Sequence, residues 1–194
     1  MSTTRIALAS LAAGIAMYFW ASIAHMALPI ARLGMNNINT DEAAVLAAMH
    51  TSLGDKPGMY RFPSIDLSNP DAMKTYDAKL VDNPSGLLIY TPPGAQSLTP
   101  TQLITEFLAE MLEAALAIYL MTLTRVNSLF GRIAVVAAIG VLASLPTNIS
   151  YWDWYGFPAS YTAGYMFTEI VGFVIAGIVG ALILRNNRST AAVS

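Results

Sequence analysis

Four long apolar segments constrain the fold of this chain more than any other feature of its sequence. They cover roughly residues 6–28, 103–123, 133–145 with an extension past Pro146, and 163–184. About 20 helical residues cross a hydrocarbon core about 30 Å thick. The chain is 55% hydrophobic and only 11% charged, against about 25% charged residues in a soluble domain. The sequence therefore predicts an all-α membrane protein built on a four-helix transmembrane bundle.

The first apolar segment is compatible with two fates. A cleaved signal peptide would use Arg5 as its positive start and the triplet Ser22-Ile23-Ala24 as its cleavage site. The apolar run is longer, however, than the core of about 7–15 residues that a signal peptide contains. We therefore expect residues 1–33 to form a retained first transmembrane helix, and residues 101–188 to contain the other three.

The positions of the arginines predict the orientation of the bundle. In a four-span arrangement five arginines fall on one side, whereas the connection 151–160 on the other side contains no lysine or arginine. The five are Arg5, Arg125, Arg132, Arg185 and Arg188. Because short cytoplasmic loops carry an excess of lysine and arginine, both termini, including the tail 189–194, are expected in the cytoplasm, with the protein in a bacterial inner membrane.

Residues 34–100 predict a small α/β cap on the extracytoplasmic side, between the first and second transmembrane helices. One helix is expected to run from a Thr40 N-cap to Gly54, and another to begin at the capping pair Ser68 and Asp71. The stretches "GMYRFP" and "GLLIYTPP" are expected to be extended and to pair with each other. The cap is therefore predicted as helix, strand, helix, strand.

Three glutamates interrupt the second apolar segment. Glu106, Glu110 and Glu113 are four and three residues apart, so they share one face of a helix. At a rise of about 1.5 Å per residue, Glu113 is the deepest of them. Glu169 in the fourth segment and His25 in the first lie near the outer ends of their helices. We expect Glu110 and Glu113 to face the protein interior, with Glu169 and His25 nearby.

The charge balance of the membrane segments makes these carboxylates exceptional. The segments offer no lysine or arginine at a matching depth, and one charge at the bilayer centre costs about 2.5–3.5 kcal/mol on insertion scales. The glutamates are therefore expected to be protonated, to hold cations, or to meet the counter-charge of a partner subunit. A structural alternative also fits: Glu106 reaches water, and Glu110 and Glu169 accept hydrogen bonds from Thr, Ser or Tyr hydroxyls.

Small and aromatic residues predict contacts around the bundle. Gly172, Ala176 and Gly180 recur every four residues in the fourth segment, a spacing that permits close packing within the bundle or in an oligomer. An aromatic rim is formed by Tyr151, Trp152, Trp154 and Tyr155. Such residues are typical of the membrane–water interface, and a stacking site for a quinone, pigment or sugar is the sharper alternative.

Several functional classes find no support in the sequence. The net charge of −2 is too small to argue for nucleic-acid binding, and the absence of cysteine removes thiolate metal sites and cysteine catalysis. The zinc-protease and di-iron helix motifs, phosphate-binding glycine loops and a nucleophile elbow are absent. No catalytic residue is therefore predicted, and no motif identifies a metal or cofactor.

The leading hypothesis is a non-enzymatic integral membrane protein whose acidic intramembrane site binds protons or cations. It would act as a small transporter or as an accessory subunit of a larger membrane complex. Its expected partners are the lipid bilayer and either further copies of itself or other subunits. A first alternative is a structural or assembly subunit that uses the cap and aromatic rim, and a second is a metal- or quinone-dependent redox protein.

Overall fold

Six α-helices and one small sheet make up the part of the chain that is described. The computed structural model describes residues 2–185, so Arg188 and the predicted tail 189–194 lie outside the described residues. The helices are α1 (Thr3–Met26), α2 (Glu42–Leu53), α3 (Ala72–Asp82), α4 (Pro100–Leu123), α5 (Leu129–Tyr155) and α6 (Ala159–Ile183). The strands are β1 (Gly58–Phe62) and β2 (Gly86–Tyr90), and a short 3-10 turn, Pro29–Arg32, follows α1.

Three helices, α1, α5 and α6, are long and apolar enough to cross a membrane. The chain is therefore a mostly helical membrane protein. Helix α5 continues through Pro146, as the sequence predicts, and ends only at Tyr155. The connection predicted over 151–160 is consequently shorter, because α6 already begins at Ala159.

Helix α4 has 24 residues but is not among the three helices that are apolar enough to span. Every stretch of 18 residues within it contains all three of its glutamates. The predicted bundle of four spanning helices is therefore not established by length and composition. The same carboxylates that mark the candidate site are the reason.

The described chain divides into two compact units. The first unit contains the described residues up to Met35, residues Leu98–Asp153 and the described residues from Phe157 onward. The second contains Asn36–Ser97 together with Trp154–Gly156. The first unit thus holds the long helices, and the second holds the predicted cap.

In the first unit, α1 packs against both α4 and α6. Ala9 and Ala13 are fully buried, and a Cβ placed on Gly14 would lie 3.0 Å from the Cα of Met111. Small residues let two helix backbones approach this closely. The larger side chains of the core include Ile118, Met121, Val136 and Phe173.

Helix α5 packs on α6 through two glycines. A Cβ on Gly140 would lie 2.7 Å from the Cγ of Phe173, and one on Gly177 would lie 3.3 Å from the Cα of Ile133. Neither position has room for a larger side chain without a shift of the neighbouring group. The small residues of both helices therefore determine how closely they approach.

Two arginines hold the carboxyl end of α6. Arg132 is buried, and its guanidinium donates to the carbonyls of Val126 and Leu184 over 3.2 and 3.1 Å. Arg5 donates to the carbonyls of Ile183 and Arg185. The last carbonyls of a helix lack partners within the helix and carry the negative end of its dipole. These two arginines, which the sequence marks only as orientation signals, thus stabilise a helix end.

The second unit has the predicted order helix, strand, helix, strand. Strands β1 and β2 pair antiparallel, with Met59 opposite Ile89, which confirms the predicted pairing. The hydroxyl of Tyr90 donates to the carbonyl of Gly54 over 2.9 Å, and the ring of Tyr90 contacts Tyr60 edge to face. These contacts join the end of α2 to the sheet.

The predicted N-caps of the second unit are wrong, whereas α2 does end at Gly54 as predicted. The N-cap of α2 is Asp41 rather than Thr40, and it has a φ of 54° and no capping hydrogen bond from its side chain. The hydroxyl of Ser68 donates to Asp66 over 2.6 Å instead of capping a helix. Short side-chain bonds of this kind compete with helix capping, and the sequence does not show which one forms.

Candidate functional site

The start of α4 positions the glutamates. Thr99 and Gln102 form a reciprocal capping box: the hydroxyl of Thr99 accepts from the backbone of Gln102, and the side chain of Gln102 accepts from the backbone of Thr99. Pro100 occupies the first turn, where its missing N–H has no cost. Thr99 is therefore the N-cap of α4. The register of the glutamate face is thereby determined from the first turn.

The four carboxylates are divided between two environments. Glu110 and Glu169 are partly buried, whereas Glu106 and Glu113 are exposed in the described chain. Glu113, the deepest glutamate of α4, is expected to face the interior; its side chain is exposed, but its charge acts on both Glu110 and Glu169. The interior side of α4 is occupied instead by Ala114, Ala117 and Ile118, all fully buried, and Glu113 lies on the flank of that face.

Glu169 has a defined partner on α5. The side-chain amide of the buried Asn148 donates to Glu169 Oε2 over 3.3 Å and to the carbonyl of Ser144 over 2.8 Å. Both hydrogens of the amide are thus used. An amide donor stabilises the charged form of a carboxylate. The bond also joins α5 to α6, so Asn148 holds the Glu169 side chain in position.

Glu110 has a buried oxygen without a partner. Its Oε2 atom is shielded from solvent and has no hydrogen bond within the described chain. The charged groups that act on Glu110 are three further carboxylates, those of Glu113, Glu106 and Glu169. An unpaired buried carboxylate oxygen beside like charges is unfavourable in its ionised form. A proton or a cation at this oxygen would remove that penalty.

Tyr165 lies next to His25 and within electrostatic reach of the carboxylates. The rings of His25 and Tyr165 lie edge to face with centroids 5.9 Å apart, and Tyr165 is within electrostatic reach of Glu106, Glu169 and Glu110. His25 Nδ1 lies 2.9 Å from the carbonyl of Ala21, to which it can only donate. This bond leaves His25 Nε2 as the available ring nitrogen. The ring of His25 is exposed and contacts Tyr165, on which the charges of the three glutamates act.

An aromatic stack runs along the start of α6. Ring centroids of Tyr151 and Phe157 are 5.3 Å apart, those of Phe157 and Tyr161 are 5.5 Å apart, and those of Tyr161 and Tyr165 are 5.7 Å apart. The four residues of the predicted rim, Tyr151, Trp152, Trp154 and Tyr155, are all exposed. Tyr151 of the predicted rim belongs to the stack, so the stack extends from the rim along α6.

The predicted packing row on α6 is buried but unevenly tight. Ala176 is fully buried. A Cβ on Gly180 would contact Ile118 of α4, whereas a Cβ on Gly172 would meet its nearest neighbour, Trp20 of α1, at 3.6 Å, an ordinary contact distance. The row therefore faces α4 at one end and α1 at the other.

Sequence reasoning missed two residues of the candidate site. Asn148 stands in the extension of the third apolar segment, where an amide within a spanning helix is itself a signal for a polar partner. Tyr165 is one of many aromatic residues, and its proximity to Glu110 arises only from the packing of α6 in the bundle. Neither its spacing nor its neighbours in sequence distinguish it.

Neither similarity to known proteins nor a metal-binding arrangement of side chains identifies the site. Comparison with protein-family models, with curated proteins and with solved structures finds no match. Over residues 2–185, no group of three or more His, Cys, Asp or Glu side chains is arranged to hold a metal ion. The arrangement that is present is a hydrogen-bonded carboxylate, Glu169, near an unpaired one, Glu110.

Proposed function

We propose that this membrane protein binds protons or small cations at an interior site centred on Glu110 and Glu169, and that it acts as a small transporter. The observation that carries the proposal is the buried Oε2 of Glu110, which has no hydrogen-bond partner and has carboxylates as its charged neighbours. Ionisable groups within spanning helices are costly, and they mark ion and proton pathways. Tyr165 and the exposed His25 then lie on the route to the site.

The proposal includes a fourth spanning helix and an orientation. Helix α4 packs along α1 and is long enough to cross, and neutralisation of its interior carboxylate would lower the cost of placing it in lipid. We place both termini in the cytoplasm of a bacterial inner membrane and residues 34–100 outside. Reporter fusions at Asp66 and at Arg185 test this: the two sites must lie on opposite sides, with Arg185 inside, and any other result rejects the orientation.

The transport function is tested with the full chain in phosphatidylcholine vesicles that enclose a pH-sensitive dye. An imposed potassium diffusion potential should drive proton movement through the original protein. Glu110→Gln retains the size of the side chain but cannot exchange a proton, so its rate should fall to that of protein-free vesicles. Glu42→Gln, which changes an exposed glutamate of α2, is the matched control and should retain the original rate.

A second readout separates binding from transport. Infrared spectra of the same vesicles, recorded at a series of pH values, show the carbonyl stretch of protonated carboxyl groups. The Glu110→Gln variant should lose one component of this band that the Glu42→Gln variant retains. Undiminished proton movement together with an unchanged band in Glu110→Gln contradicts the proposal.

The exposed carboxylates favour a second candidate function, that of an accessory subunit in a membrane complex. Glu106 and Glu113 are exposed on α4, although their charges also act on Glu110. In a spanning helix such groups require a partner of their own. That requirement is independent of whether Glu110 carries a proton.

A further inference from the structure

Helix α4 has a second face that the fold leaves unpartnered. Its buried face carries Ala114, Ala117, Ile118 and Met121. A different set of residues, Glu106, Ala109, Glu113, Leu116 and Leu120, is exposed throughout. These five residues, the α4 seam, follow one another at steps of three, four, three and four.

The spacing of the α4 seam is that of a helix–helix contact. Alternating steps of three and four residues place side chains in one row along a helix. Helices that pack against each other use contact residues with this spacing. Ala109 stands between the two glutamates, and a small residue there permits close approach. Leu116 and Leu120 continue the row with apolar side chains. The seam therefore has the pattern of a packing surface, with two carboxylates in place of apolar residues.

The arginines of the long helices are already engaged elsewhere. Arg132 donates to Val126 and Leu184, and Arg5 donates to Ile183 and Arg185. Both therefore act at the carboxyl end of α6 and are not available to the seam. The charge that acts on the Glu113 carboxyl group is that of another carboxylate, Glu106. No basic side chain of the described residues is therefore among the charges that act on Glu113.

We propose that the α4 seam docks a transmembrane helix of a different protein that carries an arginine or lysine opposite Ala109. Charge complementarity decides the occupant. A second copy of this seam would place carboxylates against carboxylates, which is repulsive, whereas a basic residue would neutralise both partners in lipid. The proposal uses the exposed pair Glu106 and Glu113. It rests on the proposed spanning α4 and on the second candidate function, and it specifies the chemistry of the partner.

The test uses synthetic helices of known sequence. The chain contains no cysteine, so Thr101→Cys at the exposed start of α4 introduces a single site for a donor fluorophore. Acceptor-labelled peptides of about 20 leucine and alanine residues, long enough to span, carry one central Arg, Gln or Glu. Energy transfer is measured with the full chain in phosphatidylcholine vesicles. Association with the Arg peptide should be at least about tenfold tighter than with the Gln peptide, equivalent to about 1.4 kcal/mol.

Variants identify the surface that binds. The double change Glu106→Gln with Glu113→Gln should reduce binding of the Arg peptide to the level of the Gln peptide. Glu110→Gln should retain the Arg preference, because the proposed proton site is not required for docking. The Glu110→Gln variant separates the transport proposal from the docking proposal. If it loses proton movement but still binds the Arg peptide, both proposals are supported. If the original chain moves protons but shows no preference for the Arg peptide, only the docking proposal fails.

Three results overturn the docking proposal. The first is equal binding of the Arg and Gln peptides, and the second is an Arg preference that survives in the double variant. The third is energy transfer between two copies of the chain that exceeds transfer to the Arg peptide, because the seam would then join identical chains. Circular dichroism of each variant, with unchanged helix content, establishes that a loss of binding is not a loss of folding.

Discussion

Replacement of Arg132 by alanine is the sharpest test of how the bundle is held together. Arg132 is only 6% exposed, and its guanidinium connects the segment before α5 to the end of α6 by its bonds to Val126 and Leu184. Arg132→Ala removes both bonds and leaves the carbonyl of Leu184 without its charged donor. Because that carbonyl lies at the negative end of the α6 dipole, an electrostatic contribution is lost as well.

The expected loss can be worked from these contacts. Hydrogen bonds from a charged donor each contribute about 1.5–3 kcal/mol, so two of them contribute about 3–6 kcal/mol. Removing a buried charge also recovers part of its desolvation cost, which acts in the opposite direction. We therefore expect Arg132→Ala to lower the free energy of unfolding by about 2–4 kcal/mol, because the hydrogen-bond loss exceeds the recovered desolvation. Arg132→Lys should lose roughly half as much, since it retains the charge but not the fork of donors.

The assay is unfolding of the full chain in mixed micelles with increasing dodecyl sulfate, followed by circular dichroism. The matched control is Arg125→Ala, which removes an exposed arginine just before α5 and should change stability by less than about 0.5 kcal/mol. Equal unfolding curves for the Arg132→Ala and Arg125→Ala variants would refute the role of the buried guanidinium. If Arg132→Lys is as stable as the original protein, the charge of the side chain, rather than the geometry of its hydrogen bonds, stabilises the fold.

Two further predictions concern helix packing and the second unit. Gly14→Ala should destabilise the bundle by about 1–3 kcal/mol, because its Cβ would lie 3.0 Å from the Cα of Met111. In the same micelle assay Gly172→Ala should leave stability unchanged or raise it. Equal changes in stability for the two variants would contradict this account of the packing. The Asp66 carboxyl has a lowered pKa because the Ser68 hydroxyl and then the Ser68 backbone donate to it, so Ser68→Ala should raise that pKa in a carbon-detected NMR titration. A lowered pKa adds stability at pH values above the ordinary carboxyl pKa, and this stability is lost as pH falls through the lowered pKa. An unchanged pKa in Ser68→Ala would show that the hydroxyl bond does not lower it.

The glutamates show how far local sequence rules reach. Residues four and three apart share a helical face whatever the rest of the fold, and the glutamates of α4 therefore lie on one side of the helix. Which member of that row faces the interior is a different question. The edge of the buried face lies between Glu110, which is partly buried, and Glu113, which is exposed. Ala117 and Ile118 occupy the centre of that face. The interior pair also needed Asn148, whose position next to Glu169 comes from the way α5 packs on α6.

The sequence by itself determined the helical membrane character of the chain, the helix–strand–helix–strand order of the second unit and the capped start of α4. These properties follow from local causes: apolar length, residue period and the capping chemistry of Thr99 and Gln102. Tertiary structure alone decided which carboxylates are partly buried, why Gly14 is tight while Gly172 is not, and that Arg132 holds the end of α6. Each of these depends on the distance between groups far apart in the chain, and no periodicity within one segment contains that distance.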